Sequence, residues 1–283
     1  QDEKEIADLS FQKLEKGLYQ FTNENKFKQF VQNILRGSGY DEPNMLIARN
    51  AVNYAYAMYL RLLDIGENHA DANSLVRRLL AISLMTGRHS GGFETQFEQD
   101  IKRIQSAGDM AKFIATLEEQ ELSDVFWNST LVDEFDKPTT NNPFWHMFIA
   151  AQNKLLKQSF LSKNNIARDL ATDDIHHIFP KNYLVKHGYD KLKYNRIANF
   201  VHLRNDINIS VSDLAPREYL GDILSGGNNH HSDIVNEAEM INNFEDNAIP
   251  KILLQAEVDD YDEFLRQRQV LMAEMVREYY KTL

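Results

Sequence analysis

The segment Asp174-Ile-His-His-Ile-Phe-Pro180 places two adjacent histidines inside a short apolar run. Its isoleucines and phenylalanine are typical of a β-strand, and Pro180 predicts where that strand ends. Neighbouring side chains of a strand point to opposite faces, so His176 and His177 can serve one site only at a strand end or a bulge. Taken alone, the pair is more typical of histidines at a strand edge that hydrogen-bond locally.

Two asparagines follow the histidine pair and change this interpretation. Asn199 precedes a second β-like run, 200–203, and Asn208 lies nine residues further on, where a short helix is predicted to begin. The predicted order is a strand that ends in two histidines, an asparagine, a second strand, and a helix that carries the second asparagine. These residue types can bind a metal ion or transfer a proton, so the order indicates a site.

The rest of the chain predicts helices, because apolar residues recur at three- and four-residue spacing. We therefore expect a mainly α fold: a helical domain over 1–158, a small α+β module over 159–227, and a C-terminal helical segment over 228–283 that packs on the helical domain. Helices are predicted over 27–35, 44–63, 74–85 and 93–104, after a cap at Asp109, from Asn142 to about Lys157, and from about Tyr261 to Lys281.

Composition excludes several classes of protein. The chain has 283 residues and no cysteine, which rules out disulfides, cysteine-ligated zinc and cysteine nucleophiles. No apolar run approaches the roughly 20 residues of a membrane span, and no signal peptide is recognisable, so a cytoplasmic protein without membrane contact is expected. Because the sequence starts at Gln1 without a methionine, we expect a fragment of a longer protein or a trimmed chain.

The formal net charge of -11 is unusual for a nucleic-acid-binding protein, but the charge is unevenly distributed. Residues 174–220 contain seven Lys or Arg and five acids, which makes this segment +2 and leaves -13 for the remainder. Basic residues therefore concentrate where the histidines and asparagines lie. The glycine-rich segment 87–92 lacks the Gly-Lys-Ser/Thr of a phosphate-binding loop and is predicted to connect two helices.

The ordered set of His176, His177, Asn199 and Asn208 resembles the HNH, or ββα-metal, nuclease fold. The HNH domain of CRISPR effector nucleases has a comparable Asp-x-Asp-His-Ile-x-Pro run and the same nine-residue step between its asparagines. Here His176 takes the place of the second Asp, and colicin-like nucleases also carry a His-His pair there. The resemblance implies a small module that cuts phosphodiester bonds with one divalent cation.

A longer set of residues is similar to the nuclease domain of GmrSD-type modification-dependent restriction enzymes. The similarity is carried by His177-Ile-Phe-Pro-Lys181, Asn195-x-Ile-Ala-Asn199, Asn208 and Ala215-Pro-Arg-Glu-Tyr-Leu220, with looser matches at 86–90 and 264–268. It implies an endonuclease acting on modified or foreign DNA in restriction or phage defence. That family usually has a ParB-like nucleotide-dependent N-terminal domain with an Asp-Gly-Gln-Gln-Arg motif. The motif is absent here, so we expect the C-terminal part of such an enzyme or a separate subunit.

Site roles follow from this resemblance and from the chemistry of phosphodiester hydrolysis. His177 is expected to be the base that activates water, because a neutral imidazole accepts a proton near pH 7. Asn199 is expected to fix the loop and orient His177. His176 and Asn208 are the expected metal ligands, with Asp174 as a further ligand or orienting group. The expected cofactor is a divalent metal ion, Mg²⁺ or Mn²⁺, with Ni²⁺, Co²⁺ or Zn²⁺ as alternatives that suit an imidazole ligand.

The DNA backbone is expected to contact basic side chains of the same module, each of which is otherwise a solvated surface charge. These candidates are Lys181, Lys191, Lys193, Arg196, Arg204 and Arg217. The alternative function is a non-catalytic module of a defence complex that binds nucleic acid or a partner subunit, which the acidic net charge favours. A small-molecule metallohydrolase is the weaker third hypothesis, since it would need three protein ligands in a closed pocket.

Overall fold

The computed structural model of this chain describes residues 3–169, 174–211, 213–226 and 231–283, with only the backbone of Arg168, Asp169, Asp174 and Ser210. Internal contacts divide the chain into two compact units. The first unit contains the residues up to Ser38, Ala48–Glu118 and Leu283; the second contains Gly39–Ile47 and Glu119–Thr282. The predicted domain boundaries after residues 158 and 227 stay predictions.

The first unit is helical. Its helices are α1 (Glu3–Phe21), α2 (Glu24–Phe30), α3 (Arg49–Asp64), α4 (His69–Thr86), α5 (Phe93–Ala107) and α6 (Met110–Glu121). The last three residues of α6 belong to the second unit. Helix α2 is followed by the π-helical turn Val31–Leu35 and the 3₁₀ turn Arg36–Ser38. Helices α3 and α4 pack together along their apolar faces, where Tyr54, Tyr59, Leu79 and Ile82 are fully buried. As predicted, Asp109 caps α6, since its Oδ1 accepts from Lys112 N at 2.7 Å.

The glycine-rich segment 87–92 is the loop between α4 and α5, and it contributes a buried ion pair. Arg88 Nε donates to Asp100 Oδ2 at 3.1 Å, and His89 lies beside the same carboxylate with Nε2 3.4 Å from Oδ2. Burial alone would raise the pKa of Asp100, but hydrogen bonds from His89 and Arg88 outweigh it and lower the pKa to about 2. The side chains of Arg88 and His89 are thus held inside the unit.

The second unit surrounds a two-stranded sheet with helices. Its strands are β1 (Asp174–His177) and β2 (Phe200–Leu203). Its helices are α7 (Leu131–Glu134), α8 (Pro143–Lys154), α9 (Ile166–Asp169), α10 (Lys181–Lys186), α11 (Lys191–Tyr194), α12 (Asn205–Val211), α13 (Pro216–Leu224), α14 (Glu237–Asp246) and α15 (Tyr261–Tyr280). Shorter elements are the π-helical turn Phe126–Thr130 and the 3₁₀ turns Pro43–Met45, Ile197–Asn199, Lys251–Gln255 and Val258–Asp260. The predicted mainly α fold is confirmed; the finer ββα-metal assignment stays a prediction.

The two strands pair antiparallel, with His176 opposite Val201 and His177 opposite Phe200. All four residues of β2 are buried. Strand β1 ends at His177, two residues before the predicted end, because the next two residues bond to Asn199 instead. Ile178 N donates to the Asn199 carbonyl at 2.8 Å, and Phe179 N donates to its Oδ1 at 2.9 Å.

Several predicted helix boundaries were wrong; helix α4, for example, begins at His69 rather than at residue 74. Helix α3 begins at Arg49 rather than at residue 44, because Pro43 starts a 3₁₀ turn that ends at Met45. Helix α8 begins as predicted, with Asn142 Oδ1 accepting from Phe144 N, but it ends at Lys154 rather than Lys157. Within the described ranges, none of the helices combines the length and apolar character needed to cross a membrane.

Helix α15 packs on α7 and α8 and supports the segment that leads into β2. Its Arg268 is fully buried and donates to three backbone carbonyls: Ala198 and Phe200 at 2.8 Å each, and Asn247 at 3.3 Å. Burial lowers the pKa of this guanidinium to about 9, so it remains charged at pH 7. A buried cation is tolerated here because its donors satisfy carbonyls that water cannot reach.

Replacing Arg268 by Met should lower the free energy of unfolding by about 3 kcal/mol, since buried carbonyls would lose their donor. The matched control is Arg266→Met on the same helix, because Arg266 is exposed and its ion pair with Glu263 lies on the surface. Urea denaturation followed by circular dichroism measures both. Equal denaturation midpoints for the two variants would contradict a supporting role for Arg268.

Candidate functional site

The end of β1 opens into a cleft of about 320 Å³. Its lining brings together both histidines of the opening segment and the second asparagine of the predicted set, although they lie on different elements. The two histidines are the last residues of β1, and Asn208 lies on α12, whose Ile207 and Val211 are buried. The lining residues are His176, His177, Pro180, Lys181, Asn182, Asn208, Val211 and Asp213.

His177 is held by a side chain to which the sequence interpretation gave no role. Its Nε2 lies 2.9 Å from Asn195 Oδ1, and its ring lies 4.7 Å from the ring of Phe200. With an amide oxygen as the acceptor, Nε2 is the donor, which leaves the lone pair of the neutral ring on Nδ1. Asn195 therefore fixes both the orientation and the tautomer of His177.

Burial lowers the pKa of His177 below its usual 6.5, and nearby His176 and Lys181 lower it further, while the bond to Asn195 acts in the opposite direction. The neutral form therefore dominates at pH 7. Because the folded-state pKa is depressed, the associated stability is fully present above the unfolded pKa of about 6.5 and is lost as the pH falls through the folded value.

Asn199 is fully buried and clamps the backbone beside the cleft. Its Oδ1 accepts from Phe179 N at 2.9 Å, and its Nδ2 donates to the carbonyls of Phe179 and Tyr194 at 3.2 and 3.1 Å. The clamp joins the residues after His177 to the residue before Asn195. The clamp therefore positions both His177 and Asn195, although Asn199 does not contact the imidazole ring itself.

The predicted metal ligands are only partly described. His176 and Asn208 line the same cleft, whereas the side chain of Asp174 lies outside the described part of the chain. Among the described residues, no three His, Asp or Glu side chains gather as a metal-binding group. One imidazole and one amide oxygen form a donor set that a divalent cation can use if other oxygen atoms complete its coordination. The ligand assignment therefore stays a prediction.

The arginines among the predicted DNA contacts are held by acids. Arg196 pairs with the Asp136 carboxylate at 3.2 Å, and Arg217 pairs with Glu257. Arg204 pairs with Asp206 and Asp233, at 2.7 and 2.9 Å. These pairs reduce the positive charge that the guanidinium groups offer to a phosphate.

The lysines form a more concentrated basic surface. Residues 181–196, which contain α10 and α11, have five Lys or Arg against the single acid Asp190, a net charge of +4. Lys181 lines the cleft with its Nζ 5.7 Å from the centre of the Tyr194 ring, and Lys193 lies equally far from the ring of Tyr189. This basic segment adjoins the cleft through Lys181.

Other polar residues of the cleft were also missed. Asp213 and Asn182 lie in its lining, and Lys186 Nζ lies 3.1 Å from Asp213 Oδ2. Hydrogen bonds from Lys186 and Asn182 lower the pKa of Asp213, so this carboxylate is ionised at neutral pH. A sequence signal existed only for Asn195, which belongs to the Asn195-x-Ile-Ala-Asn199 pattern.

No protein-family model matches this chain, and comparisons with curated proteins and with solved structures found no match. The similarity to HNH nucleases therefore rests on the sequence and stays a prediction.

Asn199→Ala should lower the free energy of unfolding by about 3 kcal/mol, because it leaves buried groups of Phe179 and Tyr194 without partners. Asn195→Ala, four residues away and partly exposed, should cost about 1 kcal/mol or less. Urea titration of the two variants provides the comparison. A larger loss for Asn195→Ala than for Asn199→Ala would contradict the clamp.

Asn195→Asp should raise the pKa of His177 by about one unit or more, since a carboxylate beside Nε2 favours the imidazolium. Asn195→Ala should lower it, because the bond that stabilises the charged ring is removed. The pKa is measured by NMR titration of the imidazole resonances in metal-free protein. Asn25→Asp, the same charge change on exposed α2, serves as the control and should leave His177 unchanged.

Proposed function

We propose that this chain is a metal-dependent DNA endonuclease of the HNH type, a hydrolase of phosphodiester bonds. The supporting observation is the single cleft that His176, His177 and Asn208 share at the end of an antiparallel strand pair followed by a helix. Such a set combines a base with metal ligands, which phosphodiester hydrolysis requires.

His177 is the proposed general base. Its neutral ring takes a proton from the attacking water, and Asn195 holds it in the tautomer that keeps Nδ1 available as the acceptor. The depressed pKa keeps the ring in its basic form somewhat below pH 6.5, so a rate governed by this group should fall only when the solution becomes more acidic.

His176 and Asn208 are the proposed protein ligands of a divalent metal ion, with Asp174 as a third. When bound, the cation would neutralise charge on the scissile phosphate and on the departing oxygen. Mg²⁺ or Mn²⁺ is the proposed ion, and Ni²⁺, Co²⁺ or Zn²⁺ suit the imidazole ligand as well.

Lys181 and the rest of the basic segment 181–196 are proposed to receive the DNA backbone. Lys181 lines the cleft, and its ammonium group is proposed to contact the phosphate under attack. Lys191 and Lys193 are exposed on the same segment and can contact neighbouring phosphates. The segment attracts phosphate groups locally, although the net charge of the whole chain is negative.

The biological setting that the sequence similarity supports is restriction of modified or foreign DNA in phage defence. The proposed partner is a ParB-like nucleotide-dependent domain, on the same protein or on a sister subunit. Such a domain would supply target recognition.

His177→Ala should reduce nicking of supercoiled plasmid by about 100-fold or more, the usual contribution of a general base. The assay contains Mg²⁺ or Mn²⁺, and chelation by EDTA should abolish nicking by the wild-type protein. His69→Ala, on an exposed position of α4, is the matched control and should cut at the wild-type rate. Unchanged cleavage by His177→Ala would refute the mechanism.

The alternative function is a non-catalytic module that binds nucleic acid or a partner. The net charge of -11 and the three acid-bound arginines favour it. DNA binding without cleavage under every divalent ion tested would select this alternative over the nuclease.

A further inference from the structure

Helix α1 presents an unusually apolar surface. Seven of the eighteen large hydrophobic side chains that are exposed in the described part of the chain belong to this helix of 19 residues. Phe11, Leu14 and Leu18 are 63%, 71% and 61% exposed, and no residue of α1 is buried. Scattered apolar residues are ordinary on a surface, but a contiguous set on one helix marks a contact surface.

Four of these seven apolar side chains, together with Ala7, follow a heptad. Ala7, Phe11, Leu14, Leu18 and Phe21 are spaced by four, three, four and three residues, which is the pattern of a coiled-coil seam. Phe21, at the end of the helix, already packs on Tyr56 at a ring distance of 5.0 Å. The seam from Ala7 to Leu18 is the part that remains exposed.

The exposed part of this seam, from Ala7 to Leu18, lies away from the side chains of α1 that bond to α3. Lys16 and Gln20 face α3, since both reach Asp64, at 3.5 and 2.9 Å. Leu14 and Leu18 each precede one of these residues by two positions, which is about 200° around a helix. The part of the seam from Ala7 to Leu18 therefore lies away from the side of α1 that carries Lys16 and Gln20, and the seam reaches α3 at its end, through Phe21.

The borders of the seam indicate the charge of its partner. In the heptad, Asp8 and Glu15 lie along one border, and Glu3, Ser10 and Gly17 lie along the other. These are the positions whose charges select the partner helix in a coiled coil. A second copy of α1 would bring acids against acids in either orientation, so self-pairing gains no ion pair and suffers repulsion.

Gly17 gives an independent indication of close approach. A glycine inside a helix costs about 1 kcal/mol relative to alanine. Nothing in the described chain requires it, because a Cβ at Gly17 would meet no atom within 4 Å. Because Gly17 and Ser10 are both small, a second helix can approach the backbone of α1 closely along this border of the seam.

We propose that the α1 seam, formed by Ala7, Phe11, Leu14 and Leu18, is a docking surface for a basic amphipathic helix of a partner protein. The partner helix carries its own apolar heptad, flanked by Lys or Arg that face Asp8 and Glu15. This interaction is separate from the cleft and does not depend on the proposed nuclease activity.

The test is a fluorescence anisotropy titration of the whole chain with two labelled 21-residue peptides. Both peptides have leucine at the seam positions; one has lysine at the border positions and the other has glutamate. The chain is used as wild type and as the variants Leu14→Glu and Leu156→Glu. Leu156 is 73% exposed and lies outside α1, so the two variants carry the same charge change.

The lysine peptide should bind the wild type and Leu156→Glu with a micromolar Kd, and should bind Leu14→Glu at least about tenfold more weakly. The glutamate peptide should be weaker than the lysine peptide by a similar factor. Circular dichroism confirms that Leu14→Glu keeps its helical content. The Leu14→Glu substitution adds negative charge, so nonspecific electrostatic attraction would strengthen binding of the lysine peptide. Weaker binding therefore reports the loss of the apolar contact.

Three results would overturn the proposal. The first is equal binding of the lysine peptide to the wild type and Leu14→Glu, which would mean attraction by overall charge. The second is no binding of the lysine peptide to the wild type. The third is a concentration-dependent dimer in analytical ultracentrifugation that Leu14→Glu abolishes, which would assign the seam to a second copy of the chain.

Discussion

The buried carboxamide of Asn199 is the constraint on which the candidate site depends. At this point the two strands separate, and the backbone groups of Phe179 and Tyr194 would otherwise have no partner in the interior. The carbonyls on either side of Asn199 accept from Arg268. One amide and one guanidinium thus satisfy the polar groups that a larger sheet would pair through further strands.

A sheet of two four-residue strands is too small to be stable by itself, so its surroundings must hold it. Phe179 packs on Tyr261 and Phe264 of α15, at ring distances of 5.0 and 5.1 Å. On β2, His202 stacks on Trp145 of α8 at 5.7 Å. These helices act as the second layer of the sheet, which accounts for the helical residues that precede and follow the strands. They also explain why His202 is packed in the interior.

Residue type, spacing and order were sufficient to select three of the side chains that share the cleft. His176, His177 and Asn208 are chemically distinctive, and a strand, a turn and a helix bring them together over a short stretch of sequence. Asn195 could not be assigned in this way, because its role depends on the direction in which one polar side chain of a turn points. Arg268 was harder still: on a helix of regular apolar periodicity, a charged residue is expected to face solvent, and its partners lie about 70 residues earlier.

The same limit applies to boundaries and surfaces. The apolar pattern after residue 44 resembles a helix, but Pro43 and the 3₁₀ turn that follows it delay the helical backbone to Arg49. Hydrophobic periodicity also cannot tell which apolar face a chain covers with its own residues. The first helix shows this, since its heptad is regular but its apolar residues Phe11, Leu14 and Leu18 stay exposed while Phe21 packs on Tyr56.

The distance in sequence between Arg268 and the carbonyls it holds has a consequence for the order of synthesis. A ribosome releases the N-terminal part of a chain first, so both strands and Asn199 emerge well before α15 does. Until then, the carbonyls of Ala198 and Phe200 lack their buried donor and Phe179 lacks its aromatic neighbours. We expect the cleft to take its final shape only when the last helix has docked, so a prematurely terminated chain would contain every residue of the cleft without the assembled arrangement.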